Sequence, residues 1–375
     1  MEGDSRHVVT HDLTILHVVG PVTDEVFSFL GPATRKLARS GHLQSIVVVD
    51  MPQLHHNVEQ LDEVARLIRV PRFANPLKQW NALFSACRAQ IRGEAFDALH
   101  VHGLIPCILA SVALRWASLQ TPVLYSPHGS RSIGALRLAG RLAMLAAHPV
   151  VRPLRSSAIV TVPREAQALD TSWGSTELIE SPVDDVFFTI ARAEAPRPLI
   201  VTGGRHNSAR SVEVFSQLAV LLSGEELGLG FHWLGTVSEA SRKRLAAAAV
   251  DVRPIADSRG YADALSRGWM YVAPWSTRGF PLFLVQAMAA GLPCVALDCE
   301  QHREVIKNGV TGFLCASEQE MVRWIAALVD DAALRKMIGT AARNVAIARF
   351  GEAEFGERLL SAYPLQSMRT GQDVS

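Results

Sequence analysis

Aromatic residues are scarce in this chain, at 7% of its 375 residues, and neither sign of charge is in excess, with 37 basic and 36 acidic residues. Surfaces that bind nucleic acids usually carry a strong positive charge, whereas the net charge here is +1. We therefore expect no nucleic-acid partner. Long apolar runs are also missing: Leu104–Leu114 and Leu138–Val151 are too short, or too interrupted by arginine, to cross a bilayer.

Paired cysteines are missing as well. The five cysteines form no Cys-x-x-Cys pair and do not have the spacing of a zinc site, so we expect no metal. The cysteines expected to be buried free thiols in a reducing compartment are Cys87, Cys107, Cys294, Cys299 and Cys315. The polar segment Met1–Asp12 does not resemble a signal peptide, which predicts a cytoplasmic protein.

Aliphatic residues are abundant and recur as short β-branched runs, each followed by a helical stretch. Several runs are almost continuously apolar, which is typical of strands buried on both faces of a parallel sheet. The first series of predicted strands is Ile15–Val19, Ser45–Asp50, Ala98–Gly103, Val123–Pro127, Ala158–Pro163 and Glu177–Ser181. The second series is Leu199–Gly203, Phe231–Gly235, Val250–Ile255, Trp269–Pro274, Cys294–Asp298 and Gly312–Cys315.

This alternation of strands and helices predicts an α/β protein with two doubly wound, Rossmann-like parallel-sheet domains. The segment Asp184–Pro198 contains two prolines and no clear periodicity, and it predicts the linker between them. We expect an N-terminal domain over residues 1–188 and a C-terminal domain over 196–348. Sheets of this kind bind ligands at the carboxyl ends of their strands, so two of them predict a cleft between those ends.

The first segment with the chemistry of a binding site is Leu199–Arg210, in which a buried strand runs into Gly203 and Gly204. Glycines allow backbone N–H groups to approach a ligand, and the following helix N-terminus favours an anion. Arg205 and Arg210 add two positive charges suited to a diphosphate. The alternative is an ordinary strand–turn–helix junction with solvated arginines, and the glycine pair alone does not decide between them.

The second segment is Trp269–Pro293, where a strand is followed by the loop Ser276–Phe280 and a helix that begins near Pro281. Gly291 is placed to end that helix. Backbone N–H groups of the loop can bind a phosphate or sugar hydroxyls, and Gln286 lies one turn into the helix.

The third segment, Leu124–Ser130, places His128 in a loop after a buried strand. A histidine there is either a functional imidazole or a side chain packed at a domain edge.

At these three segments the chain resembles the GT-B-fold glycosyltransferases of the large retaining family 4. The resemblance covers nearly the whole chain and is most specific in GFPLFLVQAMAAGLPCVALD and HREVIKNGVTGFL. It implies transfer of a sugar from a nucleotide-sugar donor to a glycan or lipid-linked acceptor, without a metal or other cofactor. It also implies a role in bacterial envelope or exopolysaccharide synthesis, and a C-terminal helix (350–366) that crosses back onto the first domain.

The resemblance assigns roles to individual residues. It implies that Arg205 and Arg210 bind the donor diphosphate, that Gln286 accepts from the ribose hydroxyls and that His128 lines the sugar site. The resemblance also implies donor binding by Arg278, Gly279, Phe280, Pro281 and Glu304. The glycine turn before Arg205, which consists of Gly203 and Gly204, completes the predicted donor-binding residues.

The chain departs from the family pattern at two carboxylates. Family members carry a pair of glutamates separated by seven residues, and here these positions hold Arg278 and Gln286. An amide oxygen still accepts a hydrogen bond, at about half the strength of a carboxylate, whereas Arg278 reverses the charge beside the donor sugar. The loop Gly20–Asp24 also lacks the paired glycines common in the family.

Three functional hypotheses follow from these departures. In the first, the chain is an active transferase with an unusual donor, and Arg278 suits a sugar that carries a carboxylate. In the second, it is a catalytically inactive homologue that binds another glycosyltransferase. In the third, it is a small-molecule binding module.

The segment Arg131–Arg155 contains arginines and apolar residues but no acidic residue. It is either a helix with a solvated basic face or a peripheral contact with the inner-membrane surface.

Overall fold

A computed structural model describes residues 12–52, 55–128, 157–160, 175–203, 209–224, 227–276 and 280–363. The chain divides into two compact units. The first comprises residues 1–180 and 355–375, and the second comprises residues 181–354.

The first unit contains a seven-stranded sheet in the order β3-β2-β1-β4-β5-β6-β7, and every strand pair in it is parallel. Its strands are β1 (Thr14–Pro21), β2 (Leu43–Val49), β3 (Arg66–Val70), β4 (Ala98–His102), β5 (Val123–Ser126), β6 (Ser157–Val160) and β7 (Ser175–Leu178). The described helices between them are α1 (Asp24–Arg39), α2 (His55–Asp62), α3 (Pro76–Gly93) and α4 (Leu104–Trp116).

The second unit contains a six-stranded parallel sheet in the order β10-β9-β8-β11-β12-β13. Its strands are β8 (Leu199–Gly203), β9 (Gly230–Leu234), β10 (Val250–Arg253), β11 (Met270–Ala273), β12 (Cys294–Leu297) and β13 (Phe313–Cys315). Its described helices are α5 (Asp185–Thr189), α6 (Ala209–Ser223), α7 (Glu239–Ala247), α8 (Ser258–Arg267), α9 (Leu282–Ala289), α10 (Glu300–Arg303), α11 (Glu318–Asp330) and α12 (Ala332–Phe350).

These sheets confirm the predicted fold class, and each strand of the two predicted series is present. The strand that the sequence did not predict is β3, at the edge of the first sheet. Two of its five residues, Arg66 and Arg69, are exposed and charged, so it lacks the apolar run by which buried strands are recognised.

Alternate residues of each strand feed the cores on the two faces of the first sheet. Leu16 and Val18 of β1 belong to one core, whereas Ile15 belongs to the core on the other face. The last helix, α13 (Glu352–Ala362), completes this second core, because Phe355, Leu359 and the following Tyr363 are buried in it.

The predicted linker Asp184–Pro198 belongs to the second unit, so the division between the units falls before it, at Ser181. Helix α5 forms within this segment, and Phe187 is fully buried in the core of the second unit. Two prolines and mixed charge did not reveal this packing, which depends on residues distant in sequence.

Four of the five cysteines are buried free thiols as predicted, while Cys299 is half-buried. Over the described part of the chain, no helix combines the length and apolar character needed to span a bilayer.

Candidate active site

Each sheet has a topological switch point, where successive crossovers leave the sheet in opposite directions. In the first sheet it lies between β1 and β4, and in the second between β8 and β11. Crevices at the carboxyl ends of such strand pairs are the usual ligand sites of open α/β sheets. The loops after β8 and β11, which contain most of the predicted donor-binding residues, therefore flank the switch point of the second sheet.

Gly203 ends β8 in a conformation that only glycine adopts easily, with φ at 143°. A Cβ atom at this position would lie 2.0 Å from the carbonyl oxygen of Leu234 in the neighbouring β9. The hydroxyl of Tyr271 in β11 donates to the carbonyl of Gly203 over 3.0 Å. The turn is thus fixed by both neighbouring strands and leaves no room for a side chain.

The loop after β11 is anchored at both ends by aromatic contacts. Trp275 packs against Trp233 of β9 with ring centroids 5.7 Å apart, and Phe280 packs against Phe350 at 5.5 Å. Pro281 is buried and is the N-cap residue of α9, which starts at Leu282. The loop therefore leads directly into a helix N-terminus, as the sequence predicted.

Four predicted site residues lie outside the described residues: Gly204, Arg205, Arg278 and Gly279. Their roles remain predictions.

Gln286 is the predicted site residue of the second unit whose hydrogen bonding is most informative. It lies in the second turn of α9, and its Oε1 is buried without a hydrogen-bond partner among the described residues. A buried amide oxygen without a partner costs free energy, about 1–3 kcal/mol, unless a ligand donates to it. The atom is thus suited to accept from a hydroxyl.

Helix α9 ends as predicted. Gly291 has φ at 77°, and the N–H of Leu292 donates to the carbonyl of Ala287, which completes a Schellman-type end. The residues that the helix buries are Leu284, Val285, Ala287, Met288 and Ala289.

Arg210 and Glu304 follow β8 and β12, on either side of β11 in the sheet. Arg210 is exposed and lies 3.4 Å from Glu213 on its own helix, a pair that contributes little stability. Glu304 is the C-cap residue of α10, and its backbone carbonyl accepts from Arg349 over 3.0 Å. Both residues therefore follow the carboxyl ends of strands, and their roles in binding remain predictions.

In the first unit, His128 follows β5 and is 7% exposed. Its φ of 51° is unusual for a residue with a side chain, and such strain is often found where a residue is held for function. Its Nδ1 is buried, and no residue in the described part of the chain forms a hydrogen bond with it.

His128 belongs to a buried cluster of four histidines, which we call the histidine cluster: His17, His100, His102 and His128. His17 Nδ1 lies 3.3 Å from His102 Nε2, and His102 Nδ1 lies 2.8 Å from His128 Nε2. The rings of His100 and His102 stack with centroids 4.2 Å apart. The strand register explains the cluster, because His17 is paired with His100 and the alternate residues of β4 share one face.

The outer members of the cluster are held by polar side chains. Gln44 Oε1 lies 3.2 Å from His17 Nε2. His100 Nδ1 lies 2.7 Å from the hydroxyl of Tyr363, and its Nε2 lies 2.8 Å from Ser126 Oγ. The C-terminal segment thus contributes a hydrogen bond to the cluster as well as packing.

Burial lowers the pKa of every histidine in the cluster. The pKa falls to about 4 for His17 and to about 3 for His128, in both cases chiefly through desolvation. For His100 and His102 burial and then repulsion between neighbouring imidazoles hold the pKa well below its usual value. All four rings are therefore neutral at pH 7, and His128 acts there as a hydrogen-bonding group rather than as a cation.

Sequence reasoning found His128 but missed His17, His100, His102 and Gln44. The available signal was the alternation His-Val-His in β4, which places both imidazoles on one face of a strand. The contributions of β1 and β2 come from residues distant in sequence.

Two protein-family models match the two units separately. Residues 33–184 match the model described as Glycosyltransferase Family 4, and residues 196–331 match the model described as Glycosyl transferases group 1. Each unit of the chain therefore contains a glycosyltransferase domain.

Two curated proteins are similar in sequence. The chain is 35% identical over 65 residues to an uncharacterized glycosyltransferase of Haemophilus influenzae, a match that covers 16% of this chain and 18% of that protein. It is 24% identical over 316 residues to the sulfoquinovosyl transferase SQD2 of Arabidopsis thaliana, which covers 77% of this chain and 62% of that protein. The chain thus spans less than two thirds of either relative.

Solved structures share the fold over 93–94% of this chain and 98% of their own. They are HepE of Anabaena in complex with UDP and glucose (TM-score 0.72, 13% identity), sucrose-phosphate synthase of Thermosynechococcus elongatus (0.73, 16%) and a glycosyltransferase of Rickettsia africae (0.74, 17%). The two parallel-sheet units and these neighbours identify the fold as GT-B.

Proposed function

We propose that this GT-B chain, with its two glycosyltransferase domains, transfers a sugar from a nucleotide-sugar donor to a glycan or lipid-linked acceptor. The observation that carries the proposal is Gln286 Oε1 on the helix that follows the switch-point strand β11, a buried acceptor to which no described residue donates. A ribose hydroxyl of the donor supplies the missing hydrogen bond. UDP is the first nucleotide to test, since structures of HepE, which shares the fold, contain UDP or UDP-glucose.

The second unit supplies the donor side of this proposal. Gly203 ends β8 with a backbone that leaves no room for a side chain, α6 begins six residues later at Ala209, and Pro281 leads into the N-terminus of α9. Helix N-termini stabilise anions, and Arg205 and Arg210 add positive charge for the diphosphate. We propose that these groups stabilise the leaving diphosphate without a metal ion, and that transfer proceeds with retention.

The role that we propose is in bacterial envelope or exopolysaccharide synthesis on the cytoplasmic side of the membrane. A catalytically inactive homologue that binds a partner transferase is the less favoured alternative, because Gln286 retains an acceptor for the donor.

Incubation with a panel of nucleotide sugars tests the activity. The panel contains UDP-glucose and, because we propose that Arg278 lies beside the donor sugar, UDP-glucuronic acid and UDP-sulfoquinovose. We expect release of the nucleoside diphosphate from at least one donor, with a rate that excess EDTA leaves unchanged. Failure of all donors both to turn over and to bind would overturn the proposal.

Substitution of Gln286 tests its contact with the donor. With the donor found in the panel, we expect Gln286→Leu to raise KM by roughly five- to tenfold, the value of one neutral hydrogen bond. Gln286→Glu restores a charged acceptor and is expected to lower KM relative to the wild type. Gln217→Leu, an exposed amide on α6, is the matched control and is expected to leave KM unchanged. Equal KM values for all variants would remove Gln286 from the donor site.

Contact with an anionic membrane surface is the part of the proposal that concerns Arg131–Arg155, which lies outside the described residues. We expect vesicles containing phosphatidylglycerol to sediment the protein, and the paired change Arg137→Glu with Arg141→Glu to abolish sedimentation. The control is Arg242→Glu with Lys243→Glu, which makes the same charge change on exposed positions of α7. Equal sedimentation of both double variants would show that the segment makes no such contact.

A further inference from the structure

We propose that Gln44, His17 and His102 form a directional hydrogen-bond chain, which holds His128 with its proton on Nε2 and leaves Nδ1 open to accept from a sugar hydroxyl. Gln44, His17 and His102 are then positioning residues, and His128 is the residue that touches the substrate. The hydrogen-bond order follows from the first unit alone, whereas the identity of the donor to Nδ1 rests on the proposed glycosyl transfer.

The direction of the chain is set at Gln44. Its amide Nε2 donates to the backbone carbonyl of Thr34 over 2.9 Å, which fixes the orientation of the amide and directs Oε1 toward His17. An amide oxygen only accepts, so His17 must donate from Nε2. Because His17 is neutral, its Nδ1 then carries a lone pair and no proton.

The protonation of the next two rings follows from that of His17. His17 Nδ1 accepts, so His102 donates to it from Nε2 and leaves its own Nδ1 unprotonated. His128 then donates from Nε2 to His102 Nδ1 over 2.8 Å. The last ring nitrogen in this series of hydrogen bonds is His128 Nδ1, which must be an acceptor and has no partner within the described ranges.

The chemistry of this atom selects its ligand. A buried lone pair on a neutral ring accepts from a neutral O–H or N–H group and cannot pair with the diphosphate as a cation would. His128 lies at the carboxyl end of β5, and the edge of Phe29 packs on its ring with centroids 5.5 Å apart, so the imidazole is held rigidly. A sugar hydroxyl is the hydrogen-bond donor that the proposed reaction provides.

A metal ion is the competing occupant of the cluster, because ring nitrogens of His17, His100 and His102 lie within 4.8 Å of one another. Imidazole lone pairs lie in the plane of the ring. The rings of His100 and His102 are stacked with an angle of 29° between their planes, so their lone pairs run side by side rather than converge. Both nitrogens of His100 already face hydroxyl groups. The arrangement therefore favours the hydrogen-bond chain.

Nuclear magnetic resonance of protein labelled with ¹⁵N-histidine reads the tautomers directly at pH 7.5. We expect His17, His102 and His128 each to carry a proton on Nε2 and none on Nδ1. Each signal is assigned by its loss in a variant in which that one histidine is replaced. A proton on His128 Nδ1, or one zinc ion per chain in elemental analysis of the purified protein, would overturn the proposal. This measurement needs no substrate, so it stands apart from any failure of the transferase assays.

Variants of Gln44 test the positioning role. Gln44→Leu removes the acceptor that sets the direction, and we expect a second population of His128 with the proton on Nδ1. Gln44→Glu keeps an acceptor and is expected to keep the wild-type tautomers. Ser126→Ala removes a hydrogen bond to His100 outside the chain and is the matched control, also with unchanged tautomers. A single wild-type tautomer in Gln44→Leu would contradict the role of Gln44.

Deoxy analogues identify the hydroxyl once the donor is known. We expect one monodeoxy donor, or one monodeoxy acceptor, to lose about tenfold in kcat/KM with the wild type and almost nothing with His128→Ala. The analogue that shows this coupling tells whether the hydroxyl belongs to the transferred sugar or to the acceptor. Absence of coupling with every analogue would show that Nδ1 does not contact a sugar hydroxyl.

Discussion

The variant Gly203→Ala is expected to destabilise the second unit by about 3–5 kcal/mol and to abolish donor binding. The added Cβ would lie 2.0 Å from the carbonyl oxygen of Leu234 and 2.8 Å from its carbonyl carbon and amide nitrogen. These are backbone atoms of an adjacent strand and cannot rotate away as a side chain does. The φ of 143° adds strain for any residue with a side chain.

Relief of this clash would separate β8 from β9 within the sheet. Because β8 lies between β9 and β11, its end would then be pushed toward β11, which disturbs the hydrogen bond from the Tyr271 hydroxyl to the carbonyl of Gly203. We therefore expect a lower melting temperature for the second unit in calorimetry and no binding of the nucleoside diphosphate in titration calorimetry.

Gly260→Ala provides the matched control in the same unit. This glycine lies in α8, has ordinary helical space around it, and its added Cβ would come no closer than 3.4 Å to Asp257 Oδ1. Alanine is the better helix former, so a gain of up to about 1 kcal/mol is expected. If Gly203→Ala behaved like Gly260→Ala, the close approach of β8 and β9 would be refuted.

Acidification is expected to unfold the first unit before the second. In an unfolded chain the histidines titrate near pH 6.5, whereas in the histidine cluster the pKa is about 4 for His17 and about 3 for His128. Below pH 6.5 these histidines thus bind protons in the unfolded chain but not in the folded unit. The free energy of unfolding falls by about 1.4 kcal/mol per pH unit for each such histidine, and above pH 6.5 the effect vanishes.

The size of this effect follows from the number of rings involved. His100 and His102 have their pKa lowered as well, so four histidines act together between pH 6.5 and pH 4. A loss of several kcal/mol over that window is comparable to the whole stability of a domain, about 5–15 kcal/mol. In the second unit, burial lowers the pKa of His302 and His232, without the mutual repulsion of a cluster.

Hydrogen exchange measured by mass spectrometry resolves the two units. After correction for intrinsic exchange, we expect peptides from β1 and β4 to lose protection between pH 6.5 and pH 4.5, while peptides from β8 and β11 keep theirs. If both units lost protection from exchange at the same pH, or if the first unit lost it only near pH 4, where carboxylates titrate, the histidine cluster would not govern acid stability.

Local patterns in the sequence predicted much of the fold. A buried parallel strand such as β8 is an apolar run that ends in glycine, and that pattern needs no knowledge of the rest of the chain. The end of α9 at Gly291 was likewise readable, because a left-handed residue after a helix favours glycine. Strand β3 was missed because an exposed edge strand has no such run.

The candidate site was predictable only in part. Gln286 and Pro281 could be proposed from the sequence because the loop and the helix start lie within one continuous segment, and their roles remain predictions. The division of the chain at Ser181 was not found, because the burial of Phe187 in the second core depends on residues distant in sequence.

The sequence by itself determined that this protein has two parallel-sheet domains, and it singled out the segments after β8, β11 and β5 as candidate ligand-binding loops, because apolar periodicity and glycine positions are local properties. Only the tertiary structure decided that His17, His102 and His128 meet in one buried chain. The hydrogen bonds between these rings join residues 85 and 26 positions apart. The physical reason is that strand register, which no local pattern encodes, sets both the distances between these rings and the desolvation that keeps them neutral.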